Sequence, residues 1–198
     1  MAEKKAVLYG INNYGFEFKI PVVIEDWQQG NNSINKFASL HFFASAIMPK
    51  GDKLEYVPVA FCSRIDNNLL RNTQLYWTKV CYEDGTEDVN KNAGELVETT
   101  KFNREMIEQK FSKEFSSDLN MFVGQPVVAH NNFTGGSASG ILMAVEPRKD
   151  HSPMAYVFLD NDATFILPVN DQSQIVVYPN FDIDNPVEVK LPEKDLSF

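Results

Sequence analysis

An extended chain shows alternate residues to opposite faces, and between residues 37 and 48 this sorts the side chains cleanly. Ala38, Leu40, Phe42, Ala44, Ala46 and Met48 share one face; Phe37, Ser39, His41, Phe43 and Ser45 share the other. A strand with one wholly apolar face must be covered, so the sequence predicts a long strand packed on a core. Pro49-Lys50-Gly51-Asp52 is turn chemistry, and Val57, Val59 and Phe61 resume the alternation, which makes a hairpin. Upstream, Val7, Tyr9 and Ile11 are followed by the turn Asn12-Asn13-Tyr14-Gly15 and then by Phe16, Phe18, Ile20, Val22 and Ile24, a second hairpin. Pro21 has no N–H for a ladder, so its strand is expected at an edge or with a bulge. The aromatic and branched stretch at 75–82 reads as a further strand, ended by Glu83-Asp84-Gly85.

The period then changes. Phe102, Met106, Phe111 and Phe115, with Ile107 beside them, stand at near-helical spacing among charged residues and predict one amphipathic helix. It is expected to begin near Thr100 or Asn103 and to leave at Ser116-Ser117-Asp118, with the phenylalanine stripe as its core face rather than a face for a partner. Short β segments follow at 126–130, 140–146, 155–159, 164–169 and 174–178, spaced as in a small closed or nearly closed barrel. The expected fold is mainly β with a minor α share. It divides into an antiparallel β unit over 1–98, the helix over 99–118, a small β-barrel over 119–180 and an acidic extended tail over 181–198 with an edge strand near 187–191.

The helix, then Leu119 to Val127 with Gly124, then Gly136-Ser137-Ala138-Ser139-Gly140 leading to Leu142 and Glu146, resembles Sm-like and other SH3-like small barrels over residues 103–178. The resemblance implies a short helix before five strands and a glycine opening a strongly bent second strand. Where the family has a basic residue and glycine before the last strand, this chain has Asp171-Gln172-Ser173-Gln174-Ile175. A fold is therefore implied, but no RNA-binding residues.

Charge points the same way. The 198 residues carry 18 Lys and Arg against 27 Asp and Glu, a net charge of -9, and 43% of them are hydrophobic. From Met121 onward there are ten acidic and four basic residues, a balance of -6. Such a surface repels phosphate, so nucleic acid and anionic membranes are not expected partners. No apolar run reaches the roughly 18 residues that a bilayer needs, and the start Met-Ala-Glu-Lys-Lys is not that of a secretory leader, so a cytoplasmic protein is expected. In that setting Cys62 and Cys81 are read as free thiols, and the triplets at Asn31 and Asn132 as loop chemistry rather than glycosylation sites.

Candidate chemistry is sparse. His41, His130 and His151 show no metal-ligand spacing, and no cofactor loop is visible, so neither metal nor cofactor is expected. Asp160-Asn161-Asp162 lacks the glycine and distal glutamate of a calcium loop and reads as a turn. The segment from His130 to Gly140 gathers a histidine, two amides and three hydroxyls around glycines. His130, Asn131, Asn132, Ser137 and Ser139 are the leading contact candidates, with Trp27 in an amide-rich loop as another. Gly136-Ser137-Ala138-Ser139-Gly140 has one residue too many for a nucleophile elbow.

The reading that follows is a non-enzymatic interaction or assembly protein that binds a protein partner or itself. Its acidic, asparagine-rich style is similar to that of small phage accessory or virion proteins. The alternatives are a ligand-binding barrel or hydrolase using the loop from His130 to Ser139, and an acidic mimic of nucleic acid. The composition predicts a protein that purifies free of nucleic acid; the ratio of absorbance at 260 and 280 nm across its light-scattering peak checks this.

Overall fold

Alternating apolar residues place the strands of the first half. The structure is a computed structural model describing residues 3–25, 41–65, 74–111, 117–148, 151–161 and 163–192. β1 (Glu3–Asn12), β2 (Glu17–Glu25), β3 (His41–Lys50), β4 (Lys53–Cys62) and β5 (Leu75–Tyr82) pair in order, and β1 also pairs with β5, closing a five-stranded barrel. The closing contact between β4 and β5 is a parallel bridge of Cys62 and Tyr76. A short β6 (Glu87–Val89) adds to β5. Phe42, Ala44, Ala46 and Met48 are all buried in the barrel core, as their alternation predicts; Phe37 to Leu40 lie outside the described residues. Inside, the Phe42 and Trp77 rings meet with centroids 4.7 Å apart, and Trp77 Nε1 donates to Ser63 Oγ at 2.7 Å.

β2 runs inside the sheet, and Pro21 stands where its ladder to β3 begins, since that ladder pairs Val22 with Ala46 and Val23 with Ser45. The barrel core continues into the second half of the chain: Val123, Ile141 and Met143 share one core with Phe18 and Ile20.

The second half repeats the strand order of the first. β7 (Pro126–Asn131), β8 (Ser137–Arg148), β9 (His151–Phe158), β10 (Thr164–Pro168), β11 (Ser173–Val177) and β12 (Val187–Glu188) form a sheet in the order β10-β9-β8-β7-β11-β12. Replacing each of β7 to β12 by β1 to β6 reproduces the pairings of the first unit, save the β4–β5 bridge that closes its ring. The mainly β fold with a minor helical share is as expected, but the ring closed by hydrogen bonds belongs to the first unit, and β10 and β12 are edges of an open sheet in the second. Val127, Ala129, Leu142, Val157, Leu167 and Ile175 nevertheless gather all five main strands of this unit around one core.

β8 is the wall between the two cores. Leu142 and Val145 face the second unit's core, whereas Ile141, Met143 and Ala144 join the first. Met143 and Ala144 can share a side because the register with β9 shifts between Leu142 and Ala144, which re-aims the chain. At Gly140 the two strands come so close that an added Cβ would lie 1.8 Å from the Phe158 carbonyl oxygen. Two buried asparagines serve the backbone at this wall. Asn12 Nδ2 donates to Met143 O at 3.2 Å, and Asn120 Oδ1 accepts from Val145 N at 3.1 Å. An ion pair between Lys50 and Asp160 ties the β3–β4 turn to the β9–β10 turn.

The helices are α1 (Ala93–Phe111) and the short α2 (Ser117–Asn120). α1 begins well before Thr100, because Asn90 builds its entry. The Asn90 amide donates to the carbonyls of Trp77 at 2.8 Å and Ser63 at 2.9 Å, while its Oδ1 accepts from Asn92 N at 3.0 Å. The face of α1 toward the barrel is Leu96 and Thr100, with half-buried Ile107. The expected phenylalanine core stripe is overturned at Phe102 and Met106, which are 60% and 52% exposed beside the line of Leu96, Thr100 and Ile107, while Phe111 is half-buried. Phe115 lies outside the described residues.

Asn12→Ala removes the amide that serves Met143 O, Tyr14 N and Phe16 N together. It is expected to destabilise the protein by about 1–3 kcal/mol in urea unfolding, the cost of a buried group such as Met143 O losing its partner. Asn131→Ala, which touches exposed groups of its own turn, is expected to cost about 1 kcal/mol or less.

Candidate functional site

Because the two units share a strand order, their first turns can be compared bond by bond. In the first, Asn12 N donates to Phe16 O at 3.1 Å, Gly15 N donates to Asn12 O, and Asn12 Oδ1 accepts from Tyr14 N. In the second, Asn131 N donates to Gly136 O at 2.8 Å, Gly135 N donates to Asn131 O, and Asn131 Oδ1 accepts from Phe133 N. Gly15 and Gly135 both hold a positive φ, 73° and 75°. Asn12-Asn13-Tyr14-Gly15 is thus repeated as Asn131-Asn132-Phe133-Thr134-Gly135, with one residue inserted.

The two turns differ in what covers them. Over the first lies α1: Asn103 Nδ2 donates to Asn13 O at 3.1 Å, and the Arg104 guanidinium stacks 4.1 Å from the centre of the Phe16 ring. Leu96 of the helix packs with Ile11, Cys62 and Tyr76. Beneath this cover Tyr14 is 4% exposed, whereas its counterpart Phe133 is 82% exposed. His130, the counterpart of Ile11, is half-buried, and Asn132 is exposed.

The sequence candidates of this segment do come together. His130 sits between Ser137 on β8 and Gln174 on β11, and Ser139 lies opposite Val128. Asn132 N donates to Gln172 O at 2.7 Å, and Asn132 lines a cleft of about 420 Å³ with Asp171, Ser173, Gln174, Glu188 and Lys190. The Ser173 hydroxyl there is buried and has no hydrogen-bond partner among the described residues. Trp27 lies outside the described residues. Phe133 and Ser173 were not among the sequence candidates. The echo of Asn-Asn-aromatic-Gly between 12–15 and 131–135 is the signal that finds Phe133.

Ser137 Oγ donates to the Ala129 carbonyl at 3.3 Å, which ties the hydroxyl to the backbone. Among the described residues no three His, Cys, Asp or Glu side chains gather as for a metal ion. Asp160 is held below the usual carboxylate range by the hydrogen bond and charge of Lys50, and Asn161 Oδ1 accepts from Ala163 N at 3.2 Å, a turn bond. Among the described residues no helix is long and apolar enough to cross a membrane. Comparison of the chain with protein-family models, curated proteins and solved structures gave no match.

Cys62 and Cys81 are both free. Burial pushes the Cys62 thiol up to about 12. A raised pKa keeps the thiol protonated at pH 8, and alkylation needs the thiolate. Iodoacetamide at pH 8 is therefore expected to label the half-exposed Cys81 in the native protein and to reach Cys62 after urea is added, as counted by mass spectrometry.

Proposed function

We propose that this chain is a non-enzymatic protein-interaction or assembly protein whose contact surface is the uncovered turn end of its second unit. The observation that carries this is the pair Tyr14 and Phe133: the same turn, with the aromatic under a helix in one unit and 82% exposed in the other. An exposed aromatic on a turn held by its own hydrogen bonds is a ready anchor. Covering a phenylalanine side chain is worth about 2–3 kcal/mol, and rigid aromatic anchors carry much of the energy of interfaces. His130, Asn131 and Asn132 border it with polar groups, as the rim of an interface does. The acidic surface favours a protein over a nucleic-acid partner. A cytoplasmic setting, of the kind in which phage accessory proteins work, suits the free thiols.

Phe133→Ser is expected to leave urea stability within about 0.5 kcal/mol of the parent, since the side chain touches little. It is expected to abolish co-purification of the partner from extracts of the source cell. Unchanged co-purification, or loss of a ligand or of turnover in His130→Ala with the fold intact, would overturn the reading.

A further inference from the structure

Ser173 is 5% exposed, its hydroxyl has no hydrogen-bond partner among the described residues, and it stands in the wall of the cleft beside β12. A buried hydroxyl left unpaired costs stability, so its place in a folded chain calls for a partner. We propose that the partner is a ligand, and that the cleft is a binding site for a neutral saccharide. The site is separate from the Phe133 anchor and does not rest on the protein-binding reading above.

The register marks the hydroxyl as out of place in a core. Ser173 on β11 lies opposite Asn131, the position that Leu75 holds opposite Asn12 in the first unit. Leu75 is 2% exposed and part of the barrel core, whereas the second unit has an unpaired polar atom at the matching place. Local rules are broken in this way where a site needs the group. The backbone around it is meanwhile served. Ser173 N donates to Asn170 O at 3.0 Å, and Asn170 Oδ1 accepts from Gln172 N at 2.8 Å. Asn132 N donates to Gln172 O at 2.7 Å, so the two turns that meet at the cleft are fixed to each other and a ligand finds its wall already formed.

The cleft lies where a ladder ends. β12 pairs Val187 with Val177 and Glu188 with Val176, and Val189 N donates to Ile175 O at 2.9 Å. Beyond that bond about 420 Å³ of cleft has Ser173 and Gln174 on the β11 side and Lys190 and Leu191 on the β12 side. That volume is within the range of small-molecule sites.

The lining selects the ligand. Ionised Asp171 and Glu188 only accept hydrogen bonds, Lys190 only donates, and Asn132, Gln174 and Ser173 do both. An anion meets two carboxylates. An ammonium or guanidinium, which only donates, meets the Lys190 charge and has no acceptor for the amide N–H groups. An apolar molecule leaves every one of these groups unpaired. A sugar hydroxyl both donates and accepts, and a saccharide carries several of them together with a C–H face for the half-buried Val189 and Leu191.

The test follows the backbone amides of the full, nitrogen-15-labelled chain by NMR during titration with glucose, galactose, mannose or N-acetylglucosamine. Each is taken to about 50 mM, which saturates a site of millimolar affinity. At least one sugar is expected to shift Asn132, Ser173, Gln174 and Lys190 saturably, whereas arginine and inorganic phosphate leave them in place. Gln174→Ala changes an exposed side chain and is expected to keep the urea midpoint while weakening the sugar about tenfold. Ser173→Ala is expected to lose the sugar and, without it, to unfold at higher urea than the parent, because the unpaired hydroxyl is gone. No saturable shift with any of the four sugars, saturation by arginine or phosphate instead, sugar binding unchanged in Gln174→Ala, or a Ser173→Ala variant that unfolds at lower urea would each overturn the proposal.

Discussion

A strand buried on both faces has to satisfy two cores at once, and β8 carries that burden here. Its residues from Ile141 to Val145 are all buried, divided between the barrel and the second sheet. A plain pleat would send them alternately to the two sides; the register shift after Leu142 lets Met143 and Ala144 both serve the barrel. Such a shift interrupts the ladder, and backbone groups in a dry interior need other partners. Asn12 reaches Met143 O from the barrel's first turn, and Asn120 reaches Val145 from the short helix. The turn that closes β1 and β2 is thereby also a fastening between the units.

The two units use one plan to different ends. In each, an asparagine at the end of the first strand organises the turn, a glycine with positive φ completes it, and an aromatic residue sits at its tip. In the first unit the tip is sealed by α1, which makes Tyr14 part of the core. In the second the tip stays on the surface beside the cleft, and this is what directs the functional proposal to Phe133 rather than to the hydroxyls of Ser137 and Ser139. The hydroxyl of Ser137 serves the Ala129 carbonyl, so its presence in the segment is accounted for by the strand itself.

Alternation and turn residues were enough to read most strands from the sequence, because both signals are local. The face made by Phe42, Ala44, Ala46 and Met48 is wholly buried, and the strand at 75–82 has the limits that its composition marks. Long-range bonds are another matter. Asn12 and Met143 are 131 residues apart, and nothing in either neighbourhood names the other. Closure of the ring depends on β1 pairing with β5, a register that alternation does not encode. The helix departs from its sequence expectation in both face and start, for related reasons. Phe102 and Met106 have the right spacing but the wrong side, and its entry is set by Asn90 reaching back to Ser63 and Trp77. At the candidate site, the polar residues of the segment from His130 to Ser139 stood out by composition, whereas Phe133 becomes conspicuous through its comparison with Tyr14.

The core shared by the two units also has a consequence in time. Ile141 and Met143, which share it with Phe18 and Ile20, leave the ribosome about 60 residues after Tyr82 ends β5, roughly 3–12 s later at ordinary elongation rates. Throughout that interval Phe18 and Ile20 belong to a barrel whose strands are all made but whose core still lacks its residues from β8. The first unit therefore reaches its final packing when the middle of the second unit emerges.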